Sequence, residues 1–217
     1  MASALPWRLV TVDIDGTLTR GHGWRPIAGA FGRLPDYEAT NRRFFSHEIG
    51  EDEHLDDLLD LANGHTVAEV EAVLAVTPRL DGIEEGVAVL RRAGLRTALL
   101  THNPGYVCSW YQRTFGFDDF EGTAGPEVRN GVLTRPGPVR ADKLGGLVRL
   151  LDRARVPARS AIHLGDGWSD AEVFERVGGG IAVNCDLPEV ERRALRAVRT
   201  DRFADLVAAI RETAPRA

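Results

Sequence analysis

The sequence predicts an α/β fold, a doubly wound parallel sheet with helices on both faces and a helical segment inserted near its start. Three features predict it. Short β-rich apolar runs alternate with helical patterns, the stretch after the first run is helical throughout, and polar residues stand at the ends of the runs, where such sheets bind ligands. With 217 residues, the chain has room for one principal core and an insertion, but not for two ordinary domains and a linker.

The first run, Leu9 to Ile14, is apolar and β-branched, as a central strand covered on both faces must be. Residues 20–80 contain no convincing strand. Leu55, Leu58, Leu59 and Ala62, then Val67, Val70, Val73 and Leu74, recur at helical spacing and suggest consecutive helices of a cap. Gly82 to Ala93 carries Ile83, Val87, Val89 and Leu90 on one helical face, the strand Thr97 to Leu100 follows, and Pro104 opens a helix reaching Phe115. Within Glu121 to Arg135, Asn130-Gly131 lies between β-prone pieces and signals a β-hairpin projecting from the core. Ala141 to Ala154 reads as a helix through Leu144, Leu147, Val148 and Leu151. Strands Ala161 to Leu164 and Ile181 to Val183 alternate with helical patterns over Ser169 to Val177, Leu187 to Ala197 and Phe203 to Arg211, Pro188 falling in a first turn. The whole is Rossmann-like, with a core of residues 1–19 and 81–217, a hairpin at about 121–135 and a helical cap at 20–80.

The 32 acidic residues outnumber the 27 basic ones, and the bases are scattered. That speaks against a nucleic-acid partner, which a basic stripe would serve. No stretch approaches the roughly 18 continuous apolar residues of a membrane span, and the opening MASALPWRLV lacks a signal-peptide run. The expectation is a soluble, cytoplasmic protein without a membrane partner. Cys108 and Cys185 make neither a disulfide framework nor a zinc cluster. Among the 27 bases, 26 are Arg and one is Lys143. A lone lysine in so Arg-biased a chain marks a place where a compact ammonium is wanted and a guanidinium does not serve.

Asp13, Thr101, Asp166 and Asn184 stand at successive strand ends, which points to one polar site. After the first strand comes Asp13-Ile14-Asp15-Gly16-Thr17-Leu18-Thr19. In an extended backbone, residues i and i+2 point the same way, so both carboxylates can face one ligand, and Gly16 permits a sharp turn. Leu99-Leu100-Thr101-His102-Asn103 ends the second strand, Lys143 lies between the hairpin and the third strand, and Gly165-Asp166-Gly167-Trp168-Ser169-Asp170 follows that strand.

Taken together and in this order, these four motifs resemble those of the haloacid dehalogenase superfamily, and the helical insertion and hairpin look most similar to its phosphoserine-phosphatase-like branch. The resemblance covers nearly the whole chain. It implies that Asp13 is a nucleophile forming an aspartyl-phosphate, and that Asp15 protonates the leaving oxygen and then activates water. The phosphoryl group would be bound by Thr101, His102, Asn103, Gly16 and Lys143, with the helix near Pro104 presenting backbone N–H groups. Carboxylates this close would repel a phosphate dianion, so a cation such as Mg²⁺ is expected on Asp13, Asp15 and Asp166. Asp170 would be a further ligand or would orient Lys143.

An acid at position 15 marks phosphatases and phosphomutases, whereas the family's dehalogenases and phosphonate-cleaving members lack one. The expected substrate is a small phosphorylated metabolite. Phosphoserine itself is disfavoured, because the cap lacks both the early acid and the Arg that would read serine: Thr19 to Trp24 has no acid, and Phe44 to Pro78 has no base but histidine. The acidic stretch 48–60 reads as a solvated helix face, with a weaker reading as a site for a cationic substrate. His22, Trp24 and Trp168 are candidates for lining the pocket. With an alcohol as acceptor the same nucleophile would make a phosphotransferase or mutase, and a non-catalytic phosphometabolite-binding protein is the other alternative.

Overall fold

The structure is a computed structural model that describes residues 5–123, 125, 128–134 and 139–216. In chain order its elements are β1 (Leu9–Val12), α1 (Trp24–Ala30), α2 (Leu34–Phe45), α3 (Glu51–Asp60), α4 (Val67–Val76), α5 (Ile83–Arg92), β2 (Arg96–Pro104), α6 (Gly105–Phe115), β3 (Asp119–Thr123), β4 (Val128–Arg129), β5 (Val132–Leu133), α7 (Lys143–Ala154), β6 (Ala161–Gly165), α8 (Trp168–Phe174), β7 (Gly179–Val183), α9 (Pro188–Arg193), β8 (Arg196–Val198) and α10 (Phe203–Glu212).

Six strands form one parallel sheet in the order β3-β2-β1-β6-β7-β8. Its central strands β1, β6 and β7 are buried along their whole length because both faces are covered. Successive residues take opposite sides: Val10, Val12, Leu99, Ile162 and Leu164 pack with Val87, Leu90, Val107 and Leu206 of α5, α6 and α10. Leu9, Ala98, Leu100 and Ala161 pack with Leu147 and Leu150 of α7 and with Val173 of α8. The register aligns Val12 with Leu99 and with Leu164, so the residues that follow β1, the last residues of β2 and those that follow β6 gather at one edge. Strand order reverses between β1 and β6, which opens a crevice at that edge.

Three local expectations are corrected. The segment Leu187 to Ala197 is not one helix, since α9 ends at Arg193 and Arg196–Val198 forms the sheet's edge strand. A three-residue, largely exposed edge strand needs no apolar run, and its sequence carries no strand signal. The hairpin exists around Asn130 and Gly131, whose φ of 52° and 80° suit a two-residue turn, but its strands are only two residues each. Glu121 and its neighbours belong instead to β3, and residues 124, 126, 127 and 135 of the expected hairpin lie outside the described residues. The strand expected at Ile181 begins at Gly179, because Gly179 and Gly180 let Trp7 and Phe174 approach to where a Cβ would stand, at 2.6 and 2.5 Å.

Helices α1–α4 separate β1 from α5, and among the described residues none of 20–80 adds a strand to the sheet. The chain leaves and re-enters the core side by side, with Arg20 N–H donating to Pro78 O and Leu80 N–H to Leu18 O, both at 2.9 Å. Helix α4 begins with a capping box between Thr66 and Glu69. The hairpin is docked on this insertion: Gly64 N–H donates to Leu133 O at 2.9 Å and Leu133 N–H to His65 O at 2.7 Å. No helix among the described residues is long and apolar enough to cross a membrane.

Candidate active site

Asp13 stands one residue beyond β1, and its N–H donates to Leu164 O at 2.9 Å, which ties the first motif to β6. Its Oδ1 accepts from Ile14 N–H at 2.8 Å, and its Oδ2 lies 3.2 Å from the Lys143 ammonium. The carboxylates of Asp13, Asp166 and Asp170 can each bring an oxygen within 4.8 Å of the others. Burial pushes the Asp13 carboxyl up to about 7 and raises that of Asp166 well above the usual range, with Lys143 pulling the other way and neighbouring acids adding to the rise. Hard oxygen donors crowded at this cost suit a hard divalent cation, which would restore both to their charged forms.

Asp170 has its lone pairs occupied. Oδ1 accepts from the Lys143 ammonium at 2.6 Å and from His163 Nε2 at 2.8 Å; Oδ2 accepts from the N–H groups of Asp166 and Gly167 at 3.1 and 2.9 Å. Burial alone would raise its carboxyl, but Lys143 and His163 outweigh burial and hold it below the usual range. Asp170 thus ties Lys143 and the Asp166 loop together, and it accepts more hydrogen bonds than either Asp13 or Asp166 of the same carboxylate group. Lys143, the first residue of α7, is 6% exposed; burial would lower its pKa, and Asp13 with Asp170 raise it instead, so the ammonium stays charged.

His163, which the motif reading passed over, sits beneath this group with no exposure. Because Nε2 must carry the proton given to Asp170, Nδ1 is the acceptor for the Thr11 hydroxyl 2.8 Å away, across the β1–β6 pair. Burial lowers its pKa, in keeping with a neutral ring. His163→Leu is expected to strand the Thr11 hydroxyl and to remove one of the donors to Asp170, a loss of about 1–3 kcal/mol. A urea midpoint equal to that of the unaltered chain would refute this.

Asp15 does not join the group of carboxylates, contrary to its expected part in metal binding. One of its oxygens accepts from Gly23 N–H at 2.8 Å and the other from Asn103 Nδ2 at 3.0 Å, which turns it toward the base of the insertion. Asn103 spends its other amide hydrogen, and its backbone N–H, on Thr101 Oγ1 at 3.1 and 3.3 Å. Asn103 thus has no donor left for a phosphate and instead orients Asp15 and Thr101. The Thr101 hydroxyl, having accepted from both nitrogens of Asn103, donates toward Asp13 and lowers its carboxyl.

Gly16 is likewise not a phosphate donor, because its N–H is held by Thr19 Oγ1 at 3.1 Å and Gly21 O at 3.2 Å. Its φ is +72°, and a Cβ there would lie 2.1 Å from Asp166 Oδ2, so its part is to let Asp166 come close. Thr17, unassigned by the motif, donates to Asp166 Oδ1 at 3.2 Å. Asn184 is outside the site: its amide clamps Thr200, giving to the carbonyl and accepting from the N–H at 2.9 and 2.8 Å.

Asp15 opens onto a cavity of about 190 Å³ between the insertion and the core. His22, Trp24 and Trp168 lie on its wall, as does His102, which contacts Glu51 at 3.3 Å. Trp24 is buried in the floor and Trp168 stands exposed at the rim. Most of the acidic stretch is a paired surface: Glu53 and Asp57 meet Arg43, Asp60 meets Arg33, and Asp52 accepts from Ala141 N–H. Glu51, His54 and the flanking Phe44 and Phe45 face the cavity, none of them singled out by a motif.

The family model of the haloacid dehalogenase-like hydrolases matches residues 7–178. A phosphoserine phosphatase of Archaeoglobus fulgidus is 26% identical over 181 residues, 82% of this chain and 52% of that protein, so the chain spans about half the length of this curated relative. Among solved structures, a HAD family hydrolase of Salmonella enterica serovar Typhi superposes with a TM-score of 0.86 at 22% identity, over 97% of this chain and 73% of that one. A phosphoserine phosphatase solved as a phospho-aspartyl intermediate analogue gives 0.78 at 18% identity, over 94% and 98%. Likeness at these identities establishes the fold.

Proposed function

The chain belongs to the haloacid dehalogenase-like hydrolases, and on that premise we propose that it is a divalent-metal-dependent phosphomonoesterase of the cytoplasm, acting on a small phosphorylated metabolite through an aspartyl-phosphate. The observation that carries the proposal is the unlike setting of two carboxylates two residues apart. Asp13 lies in a dry cluster beside Lys143, while Asp15 is held at the cavity by Gly23 and Asn103. A nucleophile and a proton carrier need just such a division of surroundings.

In this reading the core comprises residues 1–19 and 81–217, and residues 20–80 form the cap that excludes water over the site. Asp13 Oδ2 attacks phosphorus while the Lys143 ammonium and the Thr101 hydroxyl spread charge on the phosphoryl oxygens. The P–O ester bond breaks, and the leaving oxygen takes a proton from Asp15. The Asp15 carboxylate then takes a proton from water, whose oxygen attacks phosphorus, breaks the bond to Asp13 and releases phosphate. A divalent cation, Mg²⁺ in this proposal, held by Asp13 and Asp166 would supply the positive charge that lets a phosphate dianion enter among carboxylates.

Release of inorganic phosphate from a panel of phosphomonoesters is the test. Turnover is expected with Mg²⁺, to fall to background with chelator and to return on adding Mg²⁺ back. Turnover indifferent to chelator would refute the metal assignment, and phosphorylation of an added alcohol in place of phosphate release would make the protein a phosphotransferase.

A further inference from the structure

The cavity beside Asp15 receives whatever Asp15 protonates, so its walls describe the leaving group. They are unusual in what they lack: among the described residues no Lys or Arg lines it. Two of its imidazoles are neutral at pH 7, burial pushing His54 down to about 4 and His102 down to about 3, with His22 and Lys143 respectively adding to the effect. A leaving group bearing a carboxylate or a second phosphate would find no Lys or Arg among the described residues of the wall to pair with.

Besides Asp15, what the walls offer is π surface and one further carboxylate. Trp24 forms the floor, Phe44 stacks on His54 with centroids 4.3 Å apart, and Phe45 and Trp168 stand at the rim. Glu51, alone among the acids of residues 48–60, lines this space, together with the catalytic-site carboxylate Asp15. Its Oε1 lies 3.3 Å from Nδ1 of His102, whose burial keeps the ring neutral. Burial raises the Glu51 carboxyl, the Lys143 ammonium pulls it down without cancelling the rise, and Glu172, Asp52 and Asp170 add to it. Aromatic faces around a carboxylate are the chemistry that recognises organic ammonium groups. A neutral leaving group would desolvate Glu51 without return.

We infer that the cavity is built for the phosphomonoester of a small organic cation, a primary or methylated amine on a short carbon chain, with Glu51 as the counter-ion of the ammonium and Trp24, Phe44, Phe45 and Trp168 as its walls. This rests on the phosphomonoesterase reading for turnover, but not for binding.

Two measurements separate these. Calorimetry on the Asp13→Asn chain with Mg²⁺ compares phosphoethanolamine and phosphocholine with glycerol 3-phosphate and phosphoserine. At least one amine ester is expected to bind about tenfold or more tighter than glycerol 3-phosphate, and phosphoserine more weakly than either amine ester. Adding Glu51→Gln is expected to bring the ratio of amine to neutral ester within about twofold, thermal melts confirming that the variant folds. The same ratios are then read as kcat/KM on the unaltered and Glu51→Gln chains. Equal or better binding of glycerol 3-phosphate or phosphoserine, a preference that survives Glu51→Gln, or no binding of either amine ester overturns the inference. Preference in binding without phosphate release upholds it and overturns the phosphatase reading, whereas release without preference does the reverse.

Discussion

Asp13→Asn is expected to leave less than about 1% of phosphate release, because the amide cannot replace the carboxylate oxygen that forms the covalent bond. The substitution is nearly isosteric, and Lys143 keeps its 2.6 Å contact with Asp170, so the ammonium is not left buried without a partner. Folding is therefore expected to persist, and a melt near that of the unaltered chain separates lost chemistry from lost structure. Beryllium fluoride, which traps on a competent aspartate, should label the unaltered chain and not the variant. Full activity in Asp13→Asn would end the covalent mechanism.

Asp15→Asn is expected to cost roughly 10²–10⁴-fold in turnover of alkyl phosphates, the usual contribution of a general acid–base group. An amide at position 15 can still accept from Gly23 N–H, but it must turn either its NH₂ toward Asn103 Nδ2 or that donor away. It can neither give a proton to an alkoxide nor take one from water. With nitrophenyl phosphate the first step needs no proton, so the second limits, and the variant should show a burst of nitrophenolate stoichiometric with enzyme followed by slow release. An equal loss on both ester types, without a burst, would take Asp15 out of proton transfer.

Sequence and structure agree most closely where chemistry and topology demand the same residue. Asp13 and Asp166 had to stand just past strand ends, and β1 and β6 place them there because parallel central strands need unbroken apolar runs, while Thr101 falls inside β2, which runs on to Pro104. Lys143 was legible for a different reason, its solitude among arginines. The edge strands β3 and β8 were not legible. They pair on one side only, and β3 is polar because Asp119 and Glu121 meet Arg153 and Arg149 of α7. Asn103, Gly16 and Asp15 were read by motif alone, and motif spacing does not say which hydrogen a side chain has already given away. His163 left a faint sign, a polar residue inside an apolar run, and Glu51 only that of the acidic stretch 48–60 as a whole, since only the fold distinguishes the one acid facing a cavity from those beside it.

The solitude of Lys143 also shapes how the protein meets reagents. A chain with one lysine, 6% exposed and locked between Asp13 and Asp170, presents almost no side-chain primary amine to the solvent while it is folded. Acylating agents that decorate ordinary proteins at many places would here have a single internal target, reached only when α7 and the first loop part. The extent of acylation at Lys143 itself then counts molecules in which the site has opened, at one residue and in one peptide.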